Sequence, residues 1–242
     1  FFRKIKDGAK AVIQKLLKRF GYRFQSLYDS VIDEDLVFME IYRNCRGYTL
    51  TTKERMFALY KAIKYIIHAG IEGDFVECGV WRGGSAMVIA YTLRALGVSN
   101  RKIFLYDTFA GMSAQTDEDW AFGVKDKNDY QKSDVSLVEV KRNMAQTGYG
   151  NCIYVEGRVE DTIVDKVWHS AIALLRLDTD WYESTRHELT HLYPILVKGG
   201  VLIVDDYGAS GGAKKPVDQY FTAGEVLLNR IDRDSVVAIK IK

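Results

Sequence analysis

Phe75-Val-Glu-Cys-Gly-Val-Trp-Arg-Gly-Gly-Ser85 reads, within eleven residues, as the end of a buried strand, a glycine turn and the start of a helix. Phe75 and Val76 close the strand. Gly79, Gly83 and Gly84 let the backbone turn tightly and approach a ligand closely. Ser85 opens a helix that continues through Met87, Val88, Ile89, Tyr91 and Leu93. The spacing Gly79-Val-Trp-Arg-Gly83-Gly84 is not G-x-G-x-x-G, which disfavours a dinucleotide pyrophosphate. A purely structural strand-to-helix turn remains the alternative.

Glu77 stands two residues before the first glycine, as in the first motif of S-adenosylmethionine-dependent methyltransferases. A carboxylate there can orient the cationic amino end of that cofactor, and the backbone donors at the helix start suit its carboxylate. Further along, Lys102 to Tyr106 reads as a second strand ending at Asp107, where doubly wound folds place an acid for ribose hydroxyls. A turn-capping aspartate is the other reading. Ser136 and Glu139 cap a helix to about Gln146, Cys152 to Val155 is a strand, and Gly157 to Asp161 turns into a short helix. In this architecture that turn borders the adenine, with Val159 and Glu160 as candidates. Thr108 to Asp134 is too long for a simple connector and carries Phe109, Met112, Trp120, Phe122 and Tyr130, so it reads as a substrate-facing loop.

The apolar run Ala171 to Leu177, broken only by Arg176, reads as a central parallel strand that delivers Asp178-Thr-Asp180 at its carboxyl end. Val201 to Val204 delivers Asp205-Asp206 in the same way. Ligands of open α/β sheets bind beyond the carboxyl ends of the strands, so these four acids converge on the edge that also holds Glu77 and Asp107. Four uncompensated carboxylates at close range repel. A divalent cation relieves that, and all-oxygen ligation selects a hard ion, with magnesium preferred. Alternatively, Asp178 and Asp180 cap the helix that begins near Glu183 while Asp205 and Asp206 sit in a solvated loop.

Glu183 to Val197 is expected to be helical and stopped by Gly199-Gly200, and Ser210 to Pro216 a flexible loop before a short helix. Val226 to Ile231 and Ser235 to Ile241 form a closing hairpin around Asp232-Arg-Asp234. Trp181, Tyr207, Phe109 and Trp120 either line a substrate pocket or belong to the core. Towards the start of the chain, Thr51 and Glu54 form a capping-box pattern ahead of Met56, Leu59, Tyr60, Ile63, Ile66 and Ile67 at helical spacing. Tyr48 and Thr49 stand where a lid over the cofactor could begin, and Val31 to Tyr42 looks partly helical. Phe1 to Phe24 carries Arg3, Lys4, Lys6, Lys10, Lys15, Lys18, Arg19 and Arg23 against the single acid Asp7, with an apolar stripe of Ile5, Val12, Ile13, Leu16 and Leu17. That basic amphipathic helix suits a membrane-surface or polyanion contact, an oligomer arm, or plain packing with a solvated lysine face.

With 242 residues, 48% of them hydrophobic, and two prolines, the chain is long enough for one α/β domain with a helical extension. A formal net charge of +2 gives no overall bias towards nucleic acid. Three scattered cysteines, Cys45, Cys78 and Cys152, without a C-x-x-C pair argue against a disulfide framework or a zinc site and fit a reducing compartment. No cleavable signal and no membrane-spanning apolar run is visible, so a cytoplasmic location is expected.

Taken together, Val76-Glu-Cys-Gly-Val-Trp-Arg-Gly-Gly-Ser85, Tyr106-Asp-Thr-Phe-Ala-Gly111, Leu177-Asp-Thr-Asp-Trp-Tyr-Glu-Ser-Thr185 and Val204-Asp-Asp-Tyr-Gly208 resemble the macrocin O-methyltransferase family. That family includes enzymes that methylate deoxysugars of macrolide and aminocoumarin antibiotics. The likeness runs from Tyr48 onwards with four motifs in the family's order; a more distant one is to catechol O-methyltransferase. It implies an α/β class I methyltransferase, a Rossmann-like doubly wound sheet of seven strands with one antiparallel edge strand. A helical extension or lid over 1–50 would precede a methyltransferase domain over 51–242.

Position by position, the resemblance implies S-adenosylmethionine held by Glu77, Gly79, Ser85, Asp107 and the Val159-Glu160 turn, with Val80, Trp81, Gly83, Phe109, Gly157 and Asp178 completing its wall. Magnesium would sit at Asp178, Asp205 and Asp206, and Asp180, ahead of Asp178 and of the outlying His187, would act as base, since a carboxylate bound directly to the ion is less basic. Pro216 departs from the small residue more usual after the family's basic pair. The expected partner is a small-molecule glycoside or glycan in a homo-oligomeric enzyme, with no nucleic acid. Methylation of a catechol or other phenol, with the aromatic loop as a stacking wall, is the alternative within this chemistry; a nucleic-acid or membrane-binding module built on the first helix is the alternative outside it.

Overall fold

The computed structural model describes residues 13, 30–113, 116, 118–119, 135–163, 170–209, 211–222, 224 and 226–242. The expected basic helix over 1–24, apart from the helical and exposed Ile13, lies outside the described residues, as do Trp120, Phe122, Tyr130 and His169. The chain divides into two units, 1–36 and 37–242. The first contributes one short described helix, α1 (Ser30–Asp33). The division falls before residue 50 because α2 (Leu36–Cys45) buries Phe38, Ile41 and Cys45. The Phe38 ring stands 5.0 Å from Phe57 and 5.4 Å from Tyr60.

Phe57 and Tyr60 belong to α3 (Lys53–His68), which also buries Met56, Leu59, Ala62, Ile63 and Ile66 at the spacing of one helical face. Its N-cap is Thr52, whose hydroxyl accepts from the Arg55 amide at 3.2 Å, one residue later than the capping-box pattern indicates. The Thr51 hydroxyl is instead paired with that of Thr49 at 2.6 Å.

The chain then alternates β1 (Asp74–Cys78), α4 (Gly84–Ala95), β2 (Ile103–Asp107), α5 (Leu137–Ala145), β3 (Cys152–Glu156), α6 (Val159–Thr162), β4 (Ile172–Leu177), α7 (Tyr182–His191), β5 (Leu196–Val204), α8 (Gly211–Tyr220), β6 (Asn229–Arg230) and β7 (Val236–Ile239). The sheet order is β3-β2-β1-β4-β5-β7-β6. The first five strands are parallel, and β7 runs antiparallel to both β5 and the two-residue β6. The reversed strand is therefore one in from the edge. β1 and β4 are flanked by strands on both sides, with Phe75 to Cys78 and Ile172 to Leu177 all buried, which is why they read as apolar runs interrupted only by Glu77 and Arg176. Order reverses between β1 and β4, and the crevice there opens at the strands' carboxyl ends.

Two elements differ from expectation. Helix α7 ends at His191, a 3-10 turn spans Tyr193–Ile195, and β5 has begun by Leu196. Pro194 cannot extend the α-helix. Gly199 and Gly200 lie inside β5, where the pairing with β4 slips from Ile172↔Leu196 to Leu174↔Val201. Gly199, at φ 82, donates to the Lys240 carbonyl at 2.7 Å, so the glycines shape an irregularity in a strand and do not end a helix. Likewise Gly211 to Pro216 is helix rather than flexible loop. An added Cβ on Gly212 would meet the Asp180 carbonyl oxygen at 2.3 Å, so the absent side chain serves close packing. Among the described residues no helix is long and apolar enough to cross a membrane, and the three cysteines are free thiols.

Candidate active site

A cavity of about 510 Å³ opens at the carboxyl ends of the parallel strands. Of the residues singled out in the sequence, Glu77, Gly79, Val80, Trp81, Ser85, Asp107, Gly157, Val159, Glu160, Asp178, Asp180, Asp205 and Asp206 line it. Gly83 and Phe109 are not on its wall. Gly83 is the N-cap of α4 at φ 86 and faces Val140 and Met144, while Phe109 is buried against Tyr154. His187 is also absent from the wall: its Nε2 is 2.5 Å from the Ile163 carbonyl oxygen and its ring lies tilted against His191, centroids 4.1 Å apart. Tyr48 and Thr49 do line the cavity, and the Tyr48 carbonyl accepts from the Gly84 amide at 3.0 Å, which pins this segment onto the start of α4.

At the glycine turn, a Cβ on Gly79 would fall 2.0 Å from the Asp178 carbonyl oxygen, so only glycine lets the ends of β1 and β4 come together. The turn is organised by Asp107. Its Oδ2 accepts from the amides of Val80 (2.6 Å) and Trp81 (3.0 Å), and its Oδ1 from the amide of Phe109 (2.8 Å). Trp81 and Phe109 have φ of 46 and 49, an unfavourable conformation for large side chains that the carboxylate holds in place. Asp107 is thus both a turn cap and part of the cavity wall.

The acids beyond β4 and β5 are not uncompensated, contrary to the sequence argument. Arg176, 1% exposed on β4, donates from Nη1 to Glu77 Oε1 (2.7 Å) and Asp178 Oδ2 (2.8 Å). Its Nη2 lies 3.0 Å from Asp205 Oδ1 but off the hydrogen-bond line, so neither atom has a hydrogen-bond partner. From α3, Arg55 donates Nη1 to Asp205 Oδ2 (2.8 Å), Nε to Asp232 Oδ2 (2.7 Å) and Nη2 to Asp234 Oδ2 (3.1 Å). A charge inside an apolar run was a visible signal for Arg176. Nothing in the sequence marks Arg55, Asp232 or Asp234, whose meeting is purely tertiary.

Two guanidiniums do not balance this cluster. Burial, reinforced by neighbouring acids and opposed by Arg176, raises Glu77 to about 7. Burial and neighbouring acids raise Asp206 to about 9, and burial raises Asp180 to about 6 and holds Asp178 above the usual carboxylate range despite Arg176. Asp178, Asp205 and Asp206 each offer an oxygen within 4.8 Å of the others. An all-oxygen set, a surplus of negative charge and the orphaned Asp205 Oδ1 fit a hard dication.

Asp180 sits at φ 65 in a three-residue turn closed by the Trp181 amide on the Thr179 carbonyl (2.8 Å), a strained geometry for a side-chain-bearing residue. The turn is held from several sides. The Thr179 hydroxyl donates to buried Glu188 (3.2 Å), and buried Trp181 donates its indole N–H to the Ser113 carbonyl (3.0 Å) while also lining the cavity. The Tyr182 amide at the start of α7 donates to Asp119 Oδ1 at 2.6 Å. Trp181, the N-cap, makes no side-chain cap bond, so Asp119, missed in the sequence, does the capping that the alternative reading gives to Asp178 and Asp180. Tyr207 is not on the wall; its hydroxyl donates to Asp218 at 2.5 Å.

A mostly parallel seven-stranded sheet, a glycine turn after β1 and acids after β4 and β5 define a class I methyltransferase of the O-methyltransferase kind. The chain belongs to the macrocin O-methyltransferase family, matching the family described as Macrocin-O-methyltransferase (TylF) over residues 25–239. It is 32% identical over 236 residues to demethyldecarbamoylnovobiocin O-methyltransferase of Streptomyces niveus, covering 92% of this chain and 89% of that enzyme. It is 30% identical over 206 residues to the 8-demethyl-8-(2,3-dimethoxy-alpha-L-rhamnosyl)-tetracenomycin-C 4'-O-methyltransferase of Streptomyces olivaceus, covering 83% and 78%. The structure of the O-methyltransferase NovP superposes with a TM-score of 0.74 at 28% identity, covering 88% of this chain and all of that one.

Proposed function

We propose that this enzyme transfers the methyl group of S-adenosylmethionine to a sugar hydroxyl of a glycosylated natural product, with magnesium held by Asp178, Asp205 and Asp206. The observation that carries this reading is the set of three carboxylate oxygens within 4.8 Å of one another in the cavity that also contains Glu77 and Asp180. The names of the relatives, which act on novobiocin-type and rhamnosyl-tetracenomycin compounds, support the acceptor class.

When bound, magnesium would supply a Lewis acid that lowers the pKa of an acceptor hydroxyl, and S-adenosylmethionine an electrophilic methyl group. The remaining work falls to the chain. Glu77 Oε2, buried without a hydrogen-bond partner, would accept from the cofactor's ammonium. With the Gly84 amide taken by the Tyr48 carbonyl, the Ser85 end of the glycine turn would be what meets the cofactor's carboxylate. Asp107 keeps Val80 and Trp81 in place as its wall. Gly157, Val159 and Glu160 would border the adenine, with Glu160 fixed by the Ser184 hydroxyl at 2.7 Å. Asp180, raised to about 6 by burial, is ionised at neutral pH yet basic enough to take the acceptor's proton. Alignment of hydroxyl and methyl by this fixed wall supplies the entropic part of the rate.

The test is methyl transfer by the purified protein to a glycoside with vicinal hydroxyls and to a catechol, each with and without EDTA. Transfer to the glycoside that stops with EDTA and returns with magnesium supports the reading. Transfer to the catechol alone, or transfer indifferent to EDTA, overturns it.

A further inference from the structure

Of the three proposed ligands, Asp205 is approached by a different guanidinium on each oxygen. Arg176 lies 3.0 Å from Oδ1 without a hydrogen bond, and Arg55 donates to Oδ2 at 2.8 Å. We propose that Arg55 is a positioning residue for the dication site: it fixes Asp205 so that Oδ1 stays with the oxygens of Asp178 and Asp206. This inference rests on the metal reading of those three acids.

The geometry is that of a strut. Arg55 stands in the first turn of α3, 150 residues from Asp205, and its side chain is 10% exposed. Its three kinds of N–H are each committed to a different carboxylate: Nη1 to Asp205, Nε to Asp232 and Nη2 to Asp234. The far end of the strut is itself anchored. Asp232 Oδ1 accepts the amides of Asp234 and Ser235, both at 2.9 Å, and its Oδ2 accepts the Thr52 hydroxyl, also at 2.9 Å. A planar fork anchored at Asp232 and also bonded to Asp234 leaves the third acid, Asp205, little rotational freedom. Asp234 and Arg55 also line the cavity, so the strut borders the space the acceptor would enter.

The alternative role is simple charge compensation, and the two roles predict opposite signs. If Arg55 only neutralises acids, removing its charge makes the site more negative and tightens a dication. If it positions Asp205, removal loosens a ligand and weakens the dication, as loss of a ligand's hydrogen-bond partner does by about 10–100-fold. Lysine separates the two further, because it keeps the charge but loses the fork.

The experiment is calorimetric titration of magnesium, and of manganese as a stand-in, into the full chain, its Arg55→Gln and Arg55→Lys variants, and Asp234→Ala, with cooperative melting confirmed for each. Asp234→Ala removes the acceptor of the Nη2 arm while keeping Arg55 and Asp205 themselves, so it carries the test if neither Arg55 variant folds. The expected result is at least tenfold weaker metal binding in both Arg55 variants, a smaller loss in Asp234→Ala, and unchanged affinity for S-adenosylhomocysteine. The metal concentration for half-maximal activity should rise in step. Metal binding equal to or tighter than wild type in Arg55→Gln, or full rescue by lysine, overturns the inference while leaving the metal site standing. If the Arg55 variants do not fold, undiminished binding in Asp234→Ala overturns it. No dication binding by the wild type removes both.

Discussion

The Asp180 carbonyl oxygen lies 2.3 Å from where a Cβ on Gly212 would be, and Trp181 Cα lies 3.1 Å from the same point. The first turn of α8 therefore packs backbone to backbone on the strained turn that aims the proposed base. Gly212→Ala is expected to push Asp180 out of place and lower kcat about 100-fold, the scale of a displacement near 1 Å at a reacting centre. Binding of S-adenosylhomocysteine should change little. Steady-state kinetics paired with calorimetry of the variant checks both halves.

Asp107 accepts three backbone amides at 3.0 Å or less, from Val80, Trp81 and Phe109. Asp107→Ala leaves all three without that partner and is expected to cost at least about 2 kcal/mol of stability together with most donor affinity. Asp107→Asn should be only partly better, since its amide nitrogen must face at least one backbone N–H. Chemical denaturation and donor titration of both variants measure this.

The pH dependence of stability follows from burial of the acids. Asp180, Glu77 and Asp206 are raised to about 6, 7 and 9, whereas in the unfolded chain they titrate near 4. Between those limits the native state binds more protons than the unfolded state, so stability falls as pH rises. The metal-free protein is therefore expected to melt progressively lower from pH 5 to pH 9, and saturating magnesium, which favours the ionised carboxylates, to flatten the trend. Scanning calorimetry across that range with and without the ion is the measurement.

Asp206→Asn separates charge from ligation. Without metal at pH 8 it removes a crowded acid and should melt no lower than the wild type. With magnesium at about 100 times its Kd the wild type gains about 2.7 kcal/mol, or roughly 5–10 °C for a chain of this length, and the variant gains little. Thermal melts at several magnesium concentrations test both statements.

Much of this architecture is written in local patterns. The strand-turn-helix at Phe75 to Ser85, the acids after two apolar runs and the closing hairpin fall where the sequence places them, because periodicity and glycine spacing are local properties. What escaped depends on distant partners. Arg176 interrupts an apolar run without revealing that it joins Glu77 to Asp178, and Arg55 looks like any lysine or arginine on a helix. Gly199-Gly200 carries the same letters whether it ends a helix or bends a strand; the pairing with Lys240 decides. The glycines and proline of Ser210 to Pro216 suggest a loop, yet Gly211 to Tyr220 is helical with Pro216 inside it, and Gly212 there leaves room for the Asp180 backbone.

The reversed direction of β7 has a consequence for biosynthesis. Because it runs against β5, the turn that leads into it stands beside the carboxyl end of β5, where Asp232 and Asp234 can reach Arg55; a parallel strand would have begun at the opposite rim. Arg55 emerges from the ribosome 177 residues before Asp232. Domains fold as units during synthesis, so the catalytic rim stays unfinished until the hairpin of β6 and β7 has been added.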